Sequence, residues 1–283
     1  MKFIINYLSS NKIFLTFFLI FKFKIAICQI VVEEKFLPKI INETSGLEYY
    51  NGNFLTHNDS GGEEKLYAFS DIGNIIAEYK INGCGKNTDW EDIASDENNI
   101  YIANTGNNFG YRTDLEILIL DKKDNFKCNG RIEIRYEKQT NYSRRSRHEY
   151  DSEGLIATDN NLVLFSKNRL SFTTELYFMP KTAGSYELKS KAFYNAKSLI
   201  TGADYQAENN LVALVGYNTK GEQFLYTIHK FFPEKLELTE FKKYKLPINK
   251  AQIEAIKIID DETFWLTSED EGNGYPRLFK IKL

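Results

Sequence analysis

The sequence has little histidine or cysteine, no excess of either charge and no apolar run long enough to cross a bilayer with ease. Its 36 lysine and arginine residues face 39 aspartate and glutamate residues, which argues against a general nucleic-acid binder because such proteins carry a basic surface. Only three histidines are present, which disfavours a histidine-rich zinc site. With 42% hydrophobic and 27% charged residues, the composition excludes a disordered, collagen-like or multi-span membrane protein.

Four motifs of common enzymes are also absent from the sequence. These are the Gly-x-Ser-x-Gly nucleophile elbow, the Walker phosphate loop, the dinucleotide glycine fingerprint and the His-Glu-x-x-His zinc motif. The helix-loop-helix calcium motif is missing as well. The sequence alone therefore leaves open whether the protein is an enzyme.

The first 28 residues predict a signal peptide, followed by one domain over residues 29–283. They contain four lysines, no acid and an apolar run, Ile13 to Phe21, that is too short to span a bilayer comfortably. Small residues precede a cut after Cys28, so we expect a secreted, periplasmic or cell-envelope protein without a transmembrane span. The alternative is a lipoprotein anchored at Cys28. Cleavage leaves Cys84 and Cys128, which either form a disulfide in an oxidising compartment or stay free buried thiols.

Five stretches of one form recur through the chain, each a short strand with a small or acidic opening, a polar turn and a stronger strand. They cover residues 45–60, 91–106, 153–168, 202–218 and 254–270. Their spacing is that of propeller blades. Further strand patterns after each unit, such as Thr174–Pro180 and Tyr186–Tyr194 after the third, bring the count to four strands per unit. The alternative is a β-sandwich, which gives no reason for the recurring opening.

The sequence therefore predicts an all-β fold, a β-propeller of five four-stranded blades. The fifth unit has three strands of its own, and the strand predicted over Ile30–Lys39 supplies the fourth and closes the ring. The alternative is a sixth blade between Asn107 and Tyr150. We expect a monomer.

Acidic residues open the innermost strands of this propeller, so the pattern gathers them on one axial face. Oxygen ligands in irregular geometry suit Ca²⁺. The predicted metal ligands are Glu91, Asp92, Glu153, Asp204 and Glu254. The alternative is that each acid binds backbone N–H groups at its own turn.

Cations and amides near the same face predict a site for a small anionic ligand such as a phosphate or carboxylate. The candidate ligand-binding residues are Asn58, Asp59, Asn104, Asn108, Arg112, Arg144, Arg147, Lys167 and Glu269. His57 is the candidate general base or acid. The alternatives are a solvated loop whose arginines pair with nearby acids, and a histidine ring that only bonds a neighbouring blade.

Four motifs resemble those of exported bacterial propellers in the SdiA-regulated and "esterase-like activity of phytase" families. The motifs are His57-Asn58-Asp59-Ser60-Gly61, Asp89-Trp90-Glu91-Asp92-Ile93-Ala94, Asn104-Thr105-Gly106-Asn107-Asn108 with Arg112, and Asp151-Ser152-Glu153-Gly154-Leu155. The resemblance covers nearly all of residues 40–270 and implies a propeller in the cell envelope. For some relatives it also implies calcium-dependent hydrolysis of phosphate or ester bonds. The stretch Asn104 to Asn108 has two carboxylates fewer than the Asp-x-Gly-Asp-Asn common in the group.

Two functions follow from these patterns. The first is a non-catalytic exported propeller whose acidic, cation-stabilised face binds a ligand or another envelope or extracellular protein. The second is a calcium-dependent phosphoesterase or esterase. The fold does not decide between them, because propellers carry both kinds of function.

Overall fold

A computed structural model describes residues 29–270, Gly272 and residues 274–283. Within these residues the chain forms 21 strands and three short 3₁₀ helices, Lys39–Ile41, Ala207–Asn209 and Leu236–Leu238. The predicted signal peptide lies outside the described residues. In the part of the chain that is described, no helix is long and apolar enough to cross a membrane.

Twenty of the strands form five antiparallel four-stranded blades, with the innermost strand given first in each. Blade 1 contains β2 (Thr44–Tyr50), β3 (Asn53–Asn58), β4 (Lys65–Phe69) and β5 (Ile75–Lys80). Blade 2 contains β6 (Asp92–Ser95), β7 (Asn99–Asn104), β8 (Glu116–Asp121) and β9 (Lys127–Tyr136). Blade 3 contains β10 (Ser152–Ala157), β11 (Asn161–Ser166), β12 (Thr174–Pro180) and β14 (Ser190–Tyr194). Blade 4 contains β15 (Leu199–Gln206), β16 (Leu211–Tyr217), β17 (Gln223–His229) and β18 (Glu240–Lys245). Blade 5 contains β19 (Ile253–Ile258), β20 (Thr263–Ser268), β21 (Arg277–Lys282) and β1 (Ile30–Phe36).

The amino-terminal strand completes the last blade, which confirms the predicted ring closure. Strand β1 pairs antiparallel with β21, with Ile30 opposite Lys282 and Phe36 opposite Arg277. The five-blade count is also confirmed. The interval from Asn107 to Tyr150 holds β8 and β9, which belong to blade 2, so it contains no sixth blade.

One predicted strand, Tyr186–Tyr194, is wrong as a single element. Its first part belongs to β13 (Gly184–Leu188), which pairs in parallel with β9 and gives blade 2 a fifth strand. Its second part is β14, the outer strand of blade 3. The division has a packing reason: Leu188 is buried in the apolar core that blades 2 and 3 share.

Apolar side chains fill the five spaces between neighbouring blades. Each of the five buried clusters draws its residues from two adjacent blades, including the pair formed by blades 5 and 1. The largest fully buried side chain, Trp90, lies between blades 1 and 2. Since every blade packs on two neighbours, closing the ring buries both faces of every sheet.

The innermost strands contact one another around the axis, and this explains the recurring small residues in the repeat. A Cβ atom on Gly46 would lie 2.7 Å from the backbone nitrogen of Ile93 in the next blade. On Gly202 it would lie 2.7 Å from the carbonyl oxygen of Glu254. Both distances are too short for a real contact, so the close approach of neighbouring blades requires glycine at these positions.

A disulfide joins Cys84, in the connection from blade 1 to blade 2, to Cys128 in the outer strand β9. Their Cα atoms are 5.3 Å apart. The bond ties the connection between two blades to the outer edge of the second. It corresponds to one of the two states that the sequence left open for these cysteines.

Candidate functional site

Five carboxylates meet at the end of the axis where the innermost strands begin, which we call the upper face. Asp59 follows strand β3, Asp89 and Glu91 precede β6, and Asp151 and Glu153 stand at the start of β10. We call these five residues the acidic cluster. One oxygen each from Asp59, Asp89 and Glu91 lies within 4.8 Å of the others, and the same holds for Glu91, Asp151 and Glu153. Glu91 therefore belongs to both groups of three.

A glycine makes room for two of these carboxylates. A Cβ atom on Gly106 would lie 2.0 Å from Oε1 of Glu91 and 2.4 Å from Oδ2 of Asp89. The loop after β7 therefore reaches the acidic cluster only because it has no side chain at this position. Arg112 holds this loop in place, since its guanidinium donates to the carbonyl oxygen of Gly106 at 2.7 Å.

The cluster is crowded with negative charge. Burial and the charges of Asp89 and Glu153 raise the pKa of Asp59 to about 9. Burial raises the pKa of Glu91 well above its usual range, and Glu153 and Asp59 raise it further. Burial also raises the pKa of Glu153 to about 7, although Lys167 opposes this. Acids in this arrangement stay protonated unless a cation compensates them.

Two protein cations supply part of that compensation. Lys167 is buried and forms an ion pair with Glu153. Arg169 lies 2.6 Å from Asp151 and 3.4 Å from Glu153, and it also contacts Asn108.

Arg112 also opposes the rise that burial causes in the pKa of Asp89, although its own ion pair is with Asp114. Among the described residues no cation forms an ion pair with Asp59, Asp89 or Glu91. The buried Oδ1 atom of Asp59 has no hydrogen-bond partner among the described residues.

The structure places Asp92 outside the acidic cluster. Its carboxylate accepts hydrogen bonds from the backbone N–H groups of Ile93 at 2.8 Å, Leu155 at 2.7 Å and Ala203 at 3.0 Å. These donors belong to blades 2, 3 and 4, so Asp92 joins three blades at the axis. This arrangement is the backbone-binding alternative that the sequence left open for the acids.

Asp204 is separated from the other predicted metal ligands. It lies 2.8 Å from Lys257 and accepts a hydrogen bond from the N–H of Ile258 near the end of β19, so it occupies the lower end of the axis. Lys257 also pairs with Glu48 at 2.5 Å. The position in blade 4 that corresponds to Glu153 and Glu254 is Thr201, the residue at the same register shift, and Asp204 lies three residues after it. This offset explains the misplacement.

Glu254 and Glu269 lie close enough to the acidic cluster to interact with it through charge. Glu254 is buried, and its Oε1 atom has no hydrogen-bond partner within the described residues. Burial raises its pKa, with Lys167 opposing and Glu269 adding to the effect. Glu269 accepts a hydrogen bond from Gln252 at 3.2 Å. Neither residue belongs to the two groups of three.

His57 lies in the packed interior rather than in an open site. The ring is fully buried, and it meets Trp90 edge-on with ring centres 5.5 Å apart. Nδ1 lies 3.1 Å from the carbonyl oxygen of Asn58, to which it donates when it carries the proton. Burial lowers the pKa of His57 to about 4. Nε2 has no hydrogen-bond partner among the described residues. The buried surroundings favour the structural role, and the catalytic role stays a prediction.

Among the predicted ligand-binding residues, two amides position backbone near the cluster. Asn104 accepts from the N–H of Asp89 at 3.1 Å, and Asn58 donates to the carbonyl oxygen of Ile40 at 2.9 Å. Arg144 does not reach the acids, since it lies over the ring of Phe109 at 3.8 Å. Arg147 is exposed, and no ion pair joins it to the cluster within the described ranges.

Sequence reasoning missed three residues of the site. Asp89 and Asp151 stand in the motifs quoted above, but they precede the strand openings, where the repeat pattern predicts the acids. Arg169 follows Lys167 and Asn168 at the end of β11, and no spacing rule marks it. The signal that identifies Asp89 and Asp151 is the acidic pair at alternate positions, Asp89 with Glu91 and Asp151 with Glu153.

No family model and no curated protein matches the chain, so the resemblance described above stays a prediction. Solved structures are similar to it at low identity. The WD40 domain of Neurospora crassa Pan2 is 9% identical, with a TM-score of 0.42 over 87% of this chain and 77% of that chain. The WD40 β-propeller domain of Doa1 is 10% identical, with a TM-score of 0.42 over 83% and 62%. U3-55K is 11% identical, with a TM-score of 0.40 over 84% and 62%. The chain therefore covers less than two thirds of the last two.

Proposed function

We propose that the upper face binds a divalent cation, Ca²⁺ above others, and that this cation completes a binding site for a ligand. One observation carries the proposal: the carboxylate of Glu91 lies within 4.8 Å of those of Asp59 and Asp89 and also of those of Asp151 and Glu153. The ligand atoms on offer are all carboxylate oxygens, which suit a hard cation. A cation there would relieve the repulsion that raises the pKa of Asp59 and Glu91.

The oxygen atoms without partners also fit a cation. Buried polar atoms normally have a hydrogen-bond partner, and each one left without a partner costs free energy. Asp59 Oδ1 meets that description inside the cluster, and Glu254 Oε1 meets it nearby. Either water or an ion can satisfy such atoms, and a direct measurement of binding distinguishes the two.

A calcium titration followed by thermal unfolding tests the proposal. A cation that binds only the folded protein at one hundred times its Kd stabilises it by about 2.7 kcal/mol. We expect wild type to gain stability with calcium, and Glu91→Gln to lose that gain because it removes the shared ligand. The matched control is Asp204→Asn, which removes a buried acid at the lower end and keeps the calcium response. An equal response in wild type and Glu91→Gln would contradict the proposal.

A metal-dependent phosphoesterase or esterase is the second candidate. Lys167 and Arg169 favour it, because both lie against the acidic cluster and Arg169 presents a planar fork suited to an anion. The resemblance to the SdiA-regulated and phytase-like families points the same way. The test is release of nitrophenol from phosphate and acetate esters, with calcium and with chelator. Turnover that requires calcium and falls in Arg169→Gln supports hydrolysis, whereas no turnover under either condition leaves the binding function.

Export to the cell envelope is part of the proposal. The disulfide between Cys84 and Cys128 supports it, because such bonds persist in oxidising compartments. The ligand would then be a small anion or another envelope or extracellular protein. Mass spectrometry of the mature protein tests this directly. A chain that begins at Gln29 supports cleavage after Cys28, a lipid on Cys28 supports the anchored alternative, and an intact Met1 contradicts both.

A further inference from the structure

Three tyrosines gather around a cavity at the outer edge of the interface between blades 2 and 3. Tyr136 ends β9, Tyr177 lies in β12, and Tyr150 belongs to the loop before β10. The ring centres of Tyr136 and Tyr150 are 5.5 Å apart, and those of Tyr136 and Tyr177 are 5.0 Å apart. All three line a cavity of about 100 Å³, whose lining includes none of the five acidic-cluster residues.

Internal hydrogen bonds occupy the three tyrosine hydroxyls. Tyr136 pairs with Ser152 at 2.7 Å, Tyr150 donates to the carbonyl oxygen of Lys138 at 2.9 Å, and Tyr177 donates to Glu175 at 2.9 Å. These bonds fix the ring positions before any ligand arrives. The ring of Tyr150 is half-buried and offers the main tyrosine surface to a ligand, while Tyr136 and Tyr177, which are 3% and 4% exposed, line the cavity from the buried core.

The charge around the cavity is negative. Glu137, Glu149 and Glu175 line it together with Lys138 and Lys189. Lys189 lies 3.9 Å from Glu137, which compensates that acid in part. Within the described part of the chain, no ion pair engages Glu149 or Glu175. Tyrosine ring faces attract cations through their quadrupole, and neighbouring carboxylates add to that attraction.

We infer that this cavity binds a small organic cation, a methylated ammonium group. Such a group cannot use many hydrogen-bond donors or acceptors, and here the hydroxyls are already engaged. Its methyl groups pack on the rings while its positive charge faces both the rings and Glu175. The cavity has room for several water molecules, since one water needs on the order of 10 to 15 Å³ of such space. A head group with a few carbon atoms is therefore of a suitable size.

Choline and its uncharged carbon isostere, in which a tert-butyl group replaces trimethylammonium, separate a charge-dependent site from an apolar one. We expect saturation-transfer NMR to detect choline and to give about tenfold weaker binding for the isostere. This factor lies between the roughly fivefold effect of an exposed cation–π contact and the roughly thirtyfold effect of a desolvated one. Equal binding of the two compounds would overturn the inference. So would no detectable binding of either choline or tetramethylammonium at about 50 mM, far above a millimolar Kd.

Variants locate the binding at the tyrosines. Tyr150→Leu removes the half-buried ring and is expected to weaken choline binding about tenfold, whereas Tyr150→Phe keeps the ring and changes it less than about twofold. The matched control is Tyr205→Leu, another half-buried tyrosine, which packs against Phe231 in blade 4. Undiminished binding by Tyr150→Leu would overturn the inference.

A charge variant covers the case in which Tyr150→Leu does not fold. Glu175→Gln keeps the size of the side chain and its capacity to accept from Tyr177, and we expect choline binding about threefold weaker. Unchanged affinity in Glu175→Gln, with equal affinity for the isostere, would again overturn the inference. None of these variants touches the acidic cluster, so the calcium response of the protein should persist in all of them.

Discussion

The two ends of the propeller axis bury acids in different ways. At the lower end, Lys257 lies between Asp204 at 2.8 Å and Glu48 at 2.5 Å, and both acids have a cationic partner. At the upper end, the five carboxylates of the acidic cluster share Lys167 and Arg169. Each lower acid thus has an ion pair, whereas Asp59, Asp89 and Glu91 of the acidic cluster have none among the described residues.

The difference shows which feature of a buried acid points to a ligand. Burial raises the pKa of Asp204 to about 6, and Lys257 opposes the rise. Burial raises the pKa of Asp59 to about 9. There the largest charge effect comes from an acid, Asp89, and adds to the rise, whereas at Asp204 the effect of Lys257 exceeds that of Glu48. Burial alone is common to both ends. What distinguishes the upper face is that Asp59, Asp89 and Glu91 have no ion pair with a cation of the described residues, and this is the reason to look for an external cation there.

The largest expected effect on stability comes from removing Lys257, the cation at the lower end of the axis. Lys257→Met leaves Asp204 and Glu48 buried without their partner, and we expect the free energy of unfolding at pH 7 to fall by about 3 to 5 kcal/mol. Urea denaturation measures this. Lys282→Met, at the exposed end of β21, is the control and should change stability by less than about 0.5 kcal/mol.

The equivalent change at the upper end sharpens the comparison. Lys167→Met should cost less, about 2 kcal/mol, because Arg169 still contacts Glu153. Calcium should restore part of the loss in Lys167→Met and none of it in Lys257→Met. Equal rescue of both variants, or of neither, would mean that the two ends do not differ in their affinity for cations.

The next effect is the dependence of stability on pH. In the unfolded chain the acids titrate near pH 4, whereas in the folded protein the pKa of Glu153 is about 7 and that of Asp59 about 9. The folded state therefore binds more protons than the unfolded state between these values, so its stability falls as pH rises towards 9. We expect a loss of about 1 kcal/mol per pH unit between pH 7 and 9 in chelator.

Calcium should flatten this slope, because a cation holds the carboxylates ionised in the folded protein. Thermal unfolding at several pH values, with calcium and with chelator, measures both curves. Asp204→Asn should keep the difference between the two curves, since the lower end is not involved. Parallel curves in calcium and chelator would show that the cation does not bind at the groups that titrate.

The fold was predictable from the sequence because each blade repeats one local pattern. Small residues such as Gly46 and Gly202 indicate where neighbouring blades approach closely. The last unit has only three strands of its own, which predicts that the strand beginning at Ile30 completes it. Strand β13 was not predictable in this way. It leaves its own blade to pair with β9, and that choice depends on a buried contact of Leu188 that no local pattern records.

The site was predictable only in part, for a related reason. The repeat identifies the strand openings and so places Glu91 and Glu153 correctly on the upper face. It does not say what each acid contacts. Asp92 follows Glu91 directly and accepts from backbone N–H groups of three blades. Asp204 lies three residues beyond the equivalent position, Thr201, and meets Lys257. Such partners come from distant parts of the chain and appear only in the folded ring.

The smallest expected effect on stability comes from crowding the acidic cluster, and it tests whether cation binding depends on the positions of Asp89 and Glu91. Gly106→Ala places a methyl group against the carboxylates of Asp89 and Glu91, which are side chains and can shift, so we expect a loss of stability of about 1 kcal/mol. The shift moves two oxygens of the acidic cluster, and calcium affinity should fall several-fold, measured by isothermal titration calorimetry. Gly52→Ala, in a turn of blade 1 with no atom near the new methyl, is the control for affinity. It also costs stability because φ of Gly52 is +78°, but it should leave calcium affinity unchanged. If Gly106→Ala binds calcium as wild type does, the cation does not depend on the arrangement of Asp89 and Glu91, and the upper face would then resemble the lower one.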